Sequence, residues 1–185
     1  MKIIGIHGRA GSGKDTAADL LCREHGFVKY NLAKPIKDAI DAMLVAAHVK
    51  PIDWNDRVEK EAVHPLLGVS PRRAAQTLGT EWGRTFMGED VWLRLADAFV
   101  DYHVMMNMFE ECAGVVGVVI PDVRFQNEAN WIYGNGGHVI HIVRSGIDNV
   151  EAHISEAGIG MAPHDVVIIN DGTIEELYVK VINAI

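Results

Sequence analysis

The apolar positions of this chain change their period several times, and each change marks an element. Residues 2–7 (KIIGIH) form a short β-branched run that predicts a strand. From Thr16 to His25 the apolar residues Ala17, Leu20 and Leu21 recur at helical spacing. Residues 27–31 (FVKYN) predict a second strand, and Leu32-Ala33-Lys34-Pro35 opens a helix that runs to about Ala47, with the proline where a missing N–H does least harm. Periodicity then fades through residues 48–70, which predicts an irregular or weakly helical connection. Ser70-Pro71 is a sharp helix start, a hydroxyl cap followed by proline, and that helix is expected to reach Phe86. Another begins near Glu89-Asp90, acids that suit its positive end, and continues to about Glu110.

After Glu110 the strand signal returns. Residues 115–120 (VVGVVI) are continuously apolar, as befits a strand covered on both faces of a parallel sheet. A helix over 125–133, a strand over 139–143, a strand over 166–169 and a final helix follow, the last opened by the capping box Thr173/Glu176 with Leu177, Val181 and Ile185 on its buried side. Five strands separated by helices predict an α/β chain, a five-stranded parallel sheet wrapped by helices. The core would be 1–33 and 111–185 of one domain, with a helical insert over about 34–110.

The helix after Ser70 has two unlike faces. Read at the α-helical period, Ala74, Ala75, Leu78 and Trp82 make the packed stripe, with Trp82 as a core anchor. Arg73, Gln76, Thr80 and Arg84 make the other, with Arg72, Gly79 and Gly83 beside them. A glycine inside a helix costs about 1 kcal/mol relative to alanine. Two on a polar face predict that a ligand approaches the backbone there.

Composition narrows the field without deciding it. The 185 residues carry a net charge of −8, which disfavours a nucleic-acid surface because polyanion binding needs clustered Lys and Arg. Cys22 and Cys112 lie far apart without metal-ligand spacing, so neither a zinc site nor a disulfide framework is supported. No apolar run is long enough to cross a membrane and none reads as a signal peptide, which predicts a cytoplasmic protein. Whether it forms a homodimer is left open.

The chemistry starts at Gly8-Arg9-Ala10-Gly11-Ser12-Gly13-Lys14-Asp15-Thr16, a glycine-rich turn between a strand and a helix. Such a turn points backbone N–H groups inward, the helix N-terminus adds partial positive charge, and Lys14 offers a mobile cation to β- and γ-phosphates. Gly8, Gly11, Ser12, Gly13, Lys14, Asp15 and Thr16 are therefore the expected nucleotide-binding set. The run departs from G-x-x-x-x-G-K-[ST] at one place, where Asp15 stands between the lysine and the hydroxyl of Thr16. A carboxylate there suggests contact with Mg²⁺ or its waters. Asp122 and Arg124 follow a predicted strand directly, at the sheet edge where ligands of open α/β folds gather. Lys14, Asp15, Asp122 and Arg124 then supply the lysine, the carboxylates for a metal and the arginine that phosphoryl transfer needs.

The segments GRAGSGKDT, SPRRAAQTLGTEWGR, GEDVW, DVRFQNEA and HISE, in that order, resemble the deoxynucleoside monophosphate kinases of tailed bacteriophages. The resemblance spans nearly the whole chain and is weakest over 48–67. It implies a P-loop kinase fold with an inserted acceptor domain and a short lid over about 144–163. It implies transfer of the γ-phosphoryl of ATP to a dNMP with Mg²⁺, in the host cytoplasm for a phage-encoded chain. It also implies that Arg72, Arg73, Gln76, Gly79, Thr80, Trp92 and Glu128 meet the acceptor, Glu128 alternatively supporting Arg124, and that Arg144 and His153 bracket the lid. Two other readings stay open: another small-molecule P-loop kinase, such as one acting on a coenzyme precursor, which gives no reason for the Arg-Gln-Thr face, and a nucleotide switch, which lacks the guanine-reading N-K-x-D.

Overall fold

Five strands lie side by side in the computed structural model in the order β2-β3-β1-β4-β5, every neighbouring pair parallel. They are β1 (Lys2–His7), β2 (Phe27–Lys29), β3 (Gly117–Ile120), β4 (His138–Val143) and β5 (Val166–Ile169). The structure describes residues 1–108, 114–146 and 158–185. The described chain forms two compact units, one of Met1–Leu32 with Leu95–Ile185 and one of Ala33–Arg94.

The sheet unit is built by the two-residue period of its strands. On one side of β1, Ile4 and Ile6 join Ile140, Ile142 and Val119 in a cluster with Ala17, Ala18 and Leu21 of α1 (Lys14–His25) and Leu177 and Val181 of α8 (Ile174–Ile182). On the other, Gly5 faces α7 (Gln126–Gly134), and a Cβ there would come 2.5 Å from Ile132 Cδ1 and 3.1 Å from Val123 Cγ2. Helices thus cover both faces of the central strand, and its neighbour β3 is buried along its whole length, with Val118, Val119 and Ile120 fully enclosed, as the unbroken apolar sequence there predicts. Each fully buried Ile or Val contributes about 1.5–3 kcal/mol, so this cluster is the main stabilising term of the unit. The capping box is present, with the Glu176 N–H bonded to Thr173 Oγ1 at 3.2 Å and the Thr173 N–H to Glu176 Oε2 at 3.1 Å.

α6 (Val91–Met108) is grouped with the sheet unit from Leu95 onward, earlier than the insert expected to end near Glu110. Phe99 stacks on Tyr30 with ring centroids 4.6 Å apart, and Trp131 Nε1–H donates to Asp97 at 2.7 Å.

The second unit contains α2 (Lys34–Ala46), α3 (Arg57–Glu61), α4 (Pro71–Gln76), a π-helical segment (Thr77–Arg84) and the short α5 (Thr85–Met87). The irregular stretch after α2 is tied down by Asp41, whose carboxylate accepts from the Ile52 N–H at 3.0 Å and from Trp54 Nε1–H at 2.9 Å. α4 starts as expected, Ser70 Oγ accepting from the Arg73 N–H at 3.2 Å with Pro71 behind it.

The next turn does not follow the expected α-helical face assignment. The wider π turn rotates the face inward by a different amount per residue, so the two glycines are buried while Trp82 is 44% exposed. The prediction of Trp82 as a core anchor is thereby corrected. The reason given for the glycines is corrected too: a Cβ on Gly79 would meet Ile36 Cδ1 at 2.7 Å, and one on Gly83 would meet Trp92 Cζ2 at 2.4 Å. The close approach to the backbone comes from the unit's own side chains.

Candidate active site

β1 ends at His7, and the chain turns through Gly8, Gly11 and Gly13 into α1. Gly13 is the helix N-cap with φ 103°, and no side chain caps the helix there. The first N–H groups of a helix have no partner within it, so α1 presents an uncapped positive end at the loop. Ser12 is 1% exposed and its Oγ has no hydrogen-bond partner among the described residues. A buried hydroxyl left unsatisfied costs about 1–3 kcal/mol, and a phosphate oxygen is the kind of group that would satisfy it. Lys14 Nζ folds back to donate to the Arg9 carbonyl at 2.7 Å, while Asp15 and Thr16 are exposed in the first turn.

The loop after β3 is tied to the residue that precedes this one. His7 Nδ1 donates to the Val123 carbonyl at 2.9 Å, between Asp122 and Arg124. Asp122 Oδ1 accepts from the Leu32 N–H at 2.9 Å, fixing the carboxylate at the edge of the sheet. Glu128 is 5% exposed, and its Oε2 accepts from the N–H groups of Arg124 and Phe125 at 2.7 and 3.0 Å. It clamps the backbone that carries Arg124 and starts α7 in the same step. Arg144 directly follows β4 and is exposed; next to it Ser145 donates through N–H and Oγ–H to Asp171 at 2.7 and 2.8 Å. Those two bonds hold the Asp171 carboxyl below its ordinary range. His153 lies outside the described residues.

The remaining expected residues belong to the second unit. Arg72 pairs with Glu61 at 2.8 Å, and Arg73 with Glu81 at 2.9 Å. Both pairs are partly exposed, so each is worth about 0–1 kcal/mol and gives way readily to a stronger anion. Gln76 and Thr80 are half-buried. Trp92 Nε1–H donates to the Gly79 carbonyl at 2.8 Å, which engages both residues in the unit's own packing.

For a divalent ion the described residues offer carboxylates and no cage: no group of three or more His, Cys, Asp or Glu side chains comes together. Two hard oxygen donors, Asp15 and Asp122, fit Mg²⁺, which keeps most of its waters and takes further ligands from substrate phosphates. No described helix is long and apolar enough to cross a membrane.

A profile of the deoxynucleotide monophosphate kinase family matches residues 2–55 and 54–181. The chain belongs to that family. A protein of Acanthamoeba polyphaga mimivirus is 32% identical over 194 residues, covering 100% of this chain and 96% of that protein. The deoxynucleotide monophosphate kinase of Enterobacteria phage T4 is 28% identical over 245 residues, covering 100% of this chain and 99% of the phage protein. The deoxynucleotide monophosphate kinase of Escherichia phage RB69 is 27% identical, with 98% of each chain covered.

One residue that supports the loop of this family member escaped the sequence reading. Asn170, 7% exposed at the end of β5, donates Nδ2–H to the Ser12 carbonyl at 2.8 Å and its own N–H to the Val143 carbonyl at 2.7 Å. In sequence it is the first residue of Asn-Asp-Gly, a turn signal that masks the role.

Proposed function

We propose that the chain moves the γ-phosphoryl of ATP to a deoxynucleoside monophosphate, giving ADP and a deoxynucleoside diphosphate. The observation that carries this reading is the family match across residues 2–181, with the strand-loop-helix at Gly8–Thr16 as its physical counterpart. Gly8, Gly11, Ser12, Gly13 and Thr16 hold the donor's phosphates through backbone N–H groups and hydroxyls. The Lys14 ammonium leaves the Arg9 carbonyl for the β- and γ-oxygens, a more favourable partner because the bond becomes charge-assisted.

Asp15 and Asp122 are the residues that would hold Mg²⁺, whose chemistry when bound is to neutralise charge on the phosphate oxygens. Arg124, its backbone clamped by Glu128, offers a guanidinium to the transferred group. Arg144, at the same edge of the sheet, and His153 are assigned to the lid segment, where a cation would close over the transferred phosphate.

The acceptor goes to the second unit. Arg72 and Arg73 exchange Glu61 and Glu81 for the phosphate of the monophosphate, a dianion that presents the bidentate oxygens a guanidinium fits best. Gln76 and Thr80 contact the nucleoside, and Gly79 with Trp92 forms the packed base beneath them. A phosphate with second pKa about 6 is already an anionic nucleophile at neutral pH, so no protein base is required. We place the reaction in the cytoplasm, and none of these roles calls for a second subunit. ADP release that requires both an added deoxynucleoside monophosphate and Mg²⁺ supports the reading; equal release without a monophosphate overturns it.

A further inference from the structure

Next to the loop, a chain of polar side chains runs from His7 on β1 through His141 on β4 to Asp165, the residue before β5, and the phosphoryl-transfer roles above do not use it. The Asp165 side chain is 0% exposed. It accepts from Tyr133 Oη–H at 2.7 Å, Ala162 N–H at 2.7 Å, Val139 N–H at 2.9 Å and His141 Nε2–H at 3.2 Å. Burial pushes this carboxyl up, but the four donors, led by the Ala162 N–H, outweigh it and leave it below its ordinary range.

His141 is the register partner of His7 across β1 and β4, and the two rings meet edge to face with centroids 5.4 Å apart at 67°. A carbonyl and a carboxylate can only accept, so both tautomers are fixed by partners: His7 carries its proton on Nδ1 for Val123, and His141 carries one on Nε2 for Asp165. His7 thus sits directly before Gly8, with its ring wedged by His141 and its proton on the carbonyl between Asp122 and Arg124.

We propose that His7 is a positioning residue for phosphoryl transfer: anchored through His141 on Asp165, it sets the Asp122–Arg124 loop against the phosphate loop. The inference rests on the reading above that Asp122 and Arg124 act on the transferred phosphate. It follows from how transfer is accelerated, since a displacement of about 1 Å at a reacting group is enough to cost about a hundredfold.

The test uses two isosteres of similar size and polarity. An asparagine amide reaches the Nδ1 position of the histidine it replaces, and a glutamine amide reaches the Nε2 position. His7→Gln should lower kcat about tenfold with both KM values within about twofold, and His7→Asn should stay within about threefold of the parent. Equal kcat for the two variants, whether high or low, overturns the proposal. Long-range ¹H–¹⁵N spectra of the labelled parent supply a readout independent of turnover: His7 is expected as the Nδ1–H tautomer and His141 as Nε2–H. An Nε2–H tautomer at His7 overturns the proposal even where a variant fails to fold. A parent inactive on every monophosphate would instead defeat the functional reading, with the tautomers still deciding whether His7 holds Val123.

Discussion

Replacing Gly13 with alanine strikes the loop where two constraints coincide. The residue has φ 103°, a conformation that side-chain-bearing residues avoid at a cost of about 1–2 kcal/mol. Its new Cβ would also stand 2.5 Å from Asn170 Nδ2 and 3.4 Å from Leu177 Cδ2. Asn170 cannot yield freely, because its Nδ2–H holds the Ser12 carbonyl at 2.8 Å and its backbone is pinned to Val143. Breaking that buried bond adds about 1–3 kcal/mol, for a total near 2–5 kcal/mol. In a chain of this size the melting temperature should fall by about 5–15 °C. Thermal melts followed by circular dichroism read the loss, and an ADP-coupled assay reads its effect on turnover. Gly13→Ala combined with Asn170→Ala should cost less than the two single changes added together, because both remove the same bond. A Gly13→Ala melt within about 1 °C of the parent, or strict additivity, would refute the reasoning.

Three further outcomes follow from the same geometry. Lys14→Ala should lower turnover at least about a hundredfold while the melting temperature barely moves, since the lysine's bond to the Arg9 carbonyl is exposed; activity within tenfold of the parent would remove it from the proposed mechanism. Arg73→Ala should raise the KM for the monophosphate about tenfold and leave that for ATP unchanged, because the Glu81 pair it loses is half exposed and weak; the reverse pattern would exchange the two sites. Asp165 has a folded pKa depressed below the ordinary 3.8, so it contributes stability that is present above that value and lost as pH falls through the folded one. Urea midpoints for Asp165→Asn should therefore lack part of the parent's acid limb, and parallel limbs would contradict the assignment.

The local signals in this sequence were strong where one element decides its own fate. β1, the phosphate loop and α1 were legible because a β-branched run, glycines and a lysine are adjacent in the chain, and the capping box of α8 because both its partners lie within one turn. Gly79, Gly83 and Trp82 were misread for a physical reason. A face assignment at 3.6 residues per turn fails across a π-helical stretch, and nothing local announces the wider turn. The bonds of Asn170 to Ser12 and of Asp165 to His141 were not legible at all, since the partners are distant in sequence and meet only in the folded sheet. The His7–His141 contact has the same origin, and a strand alignment of β1 with β4 would have been needed to find it.

The central claim is that this chain phosphorylates deoxynucleoside monophosphates, and a substrate panel tests it most directly. ATP and Mg²⁺ would be incubated with each common dNMP and NMP, and diphosphate products resolved by chromatography. On the proposed assignment of Gln76 and Thr80 to the nucleoside, an added 2′-hydroxyl would have to find a partner there or stay unsatisfied. An unpaired buried hydroxyl costs about 1–3 kcal/mol, a preference of about tenfold to a hundredfold for the deoxy substrate. Several dNMPs converted well, with their ribonucleotide counterparts clearly slower, is the expected result. Equal rates on both sugars would contradict the deoxy preference, and no turnover on any monophosphate would contradict the claim itself.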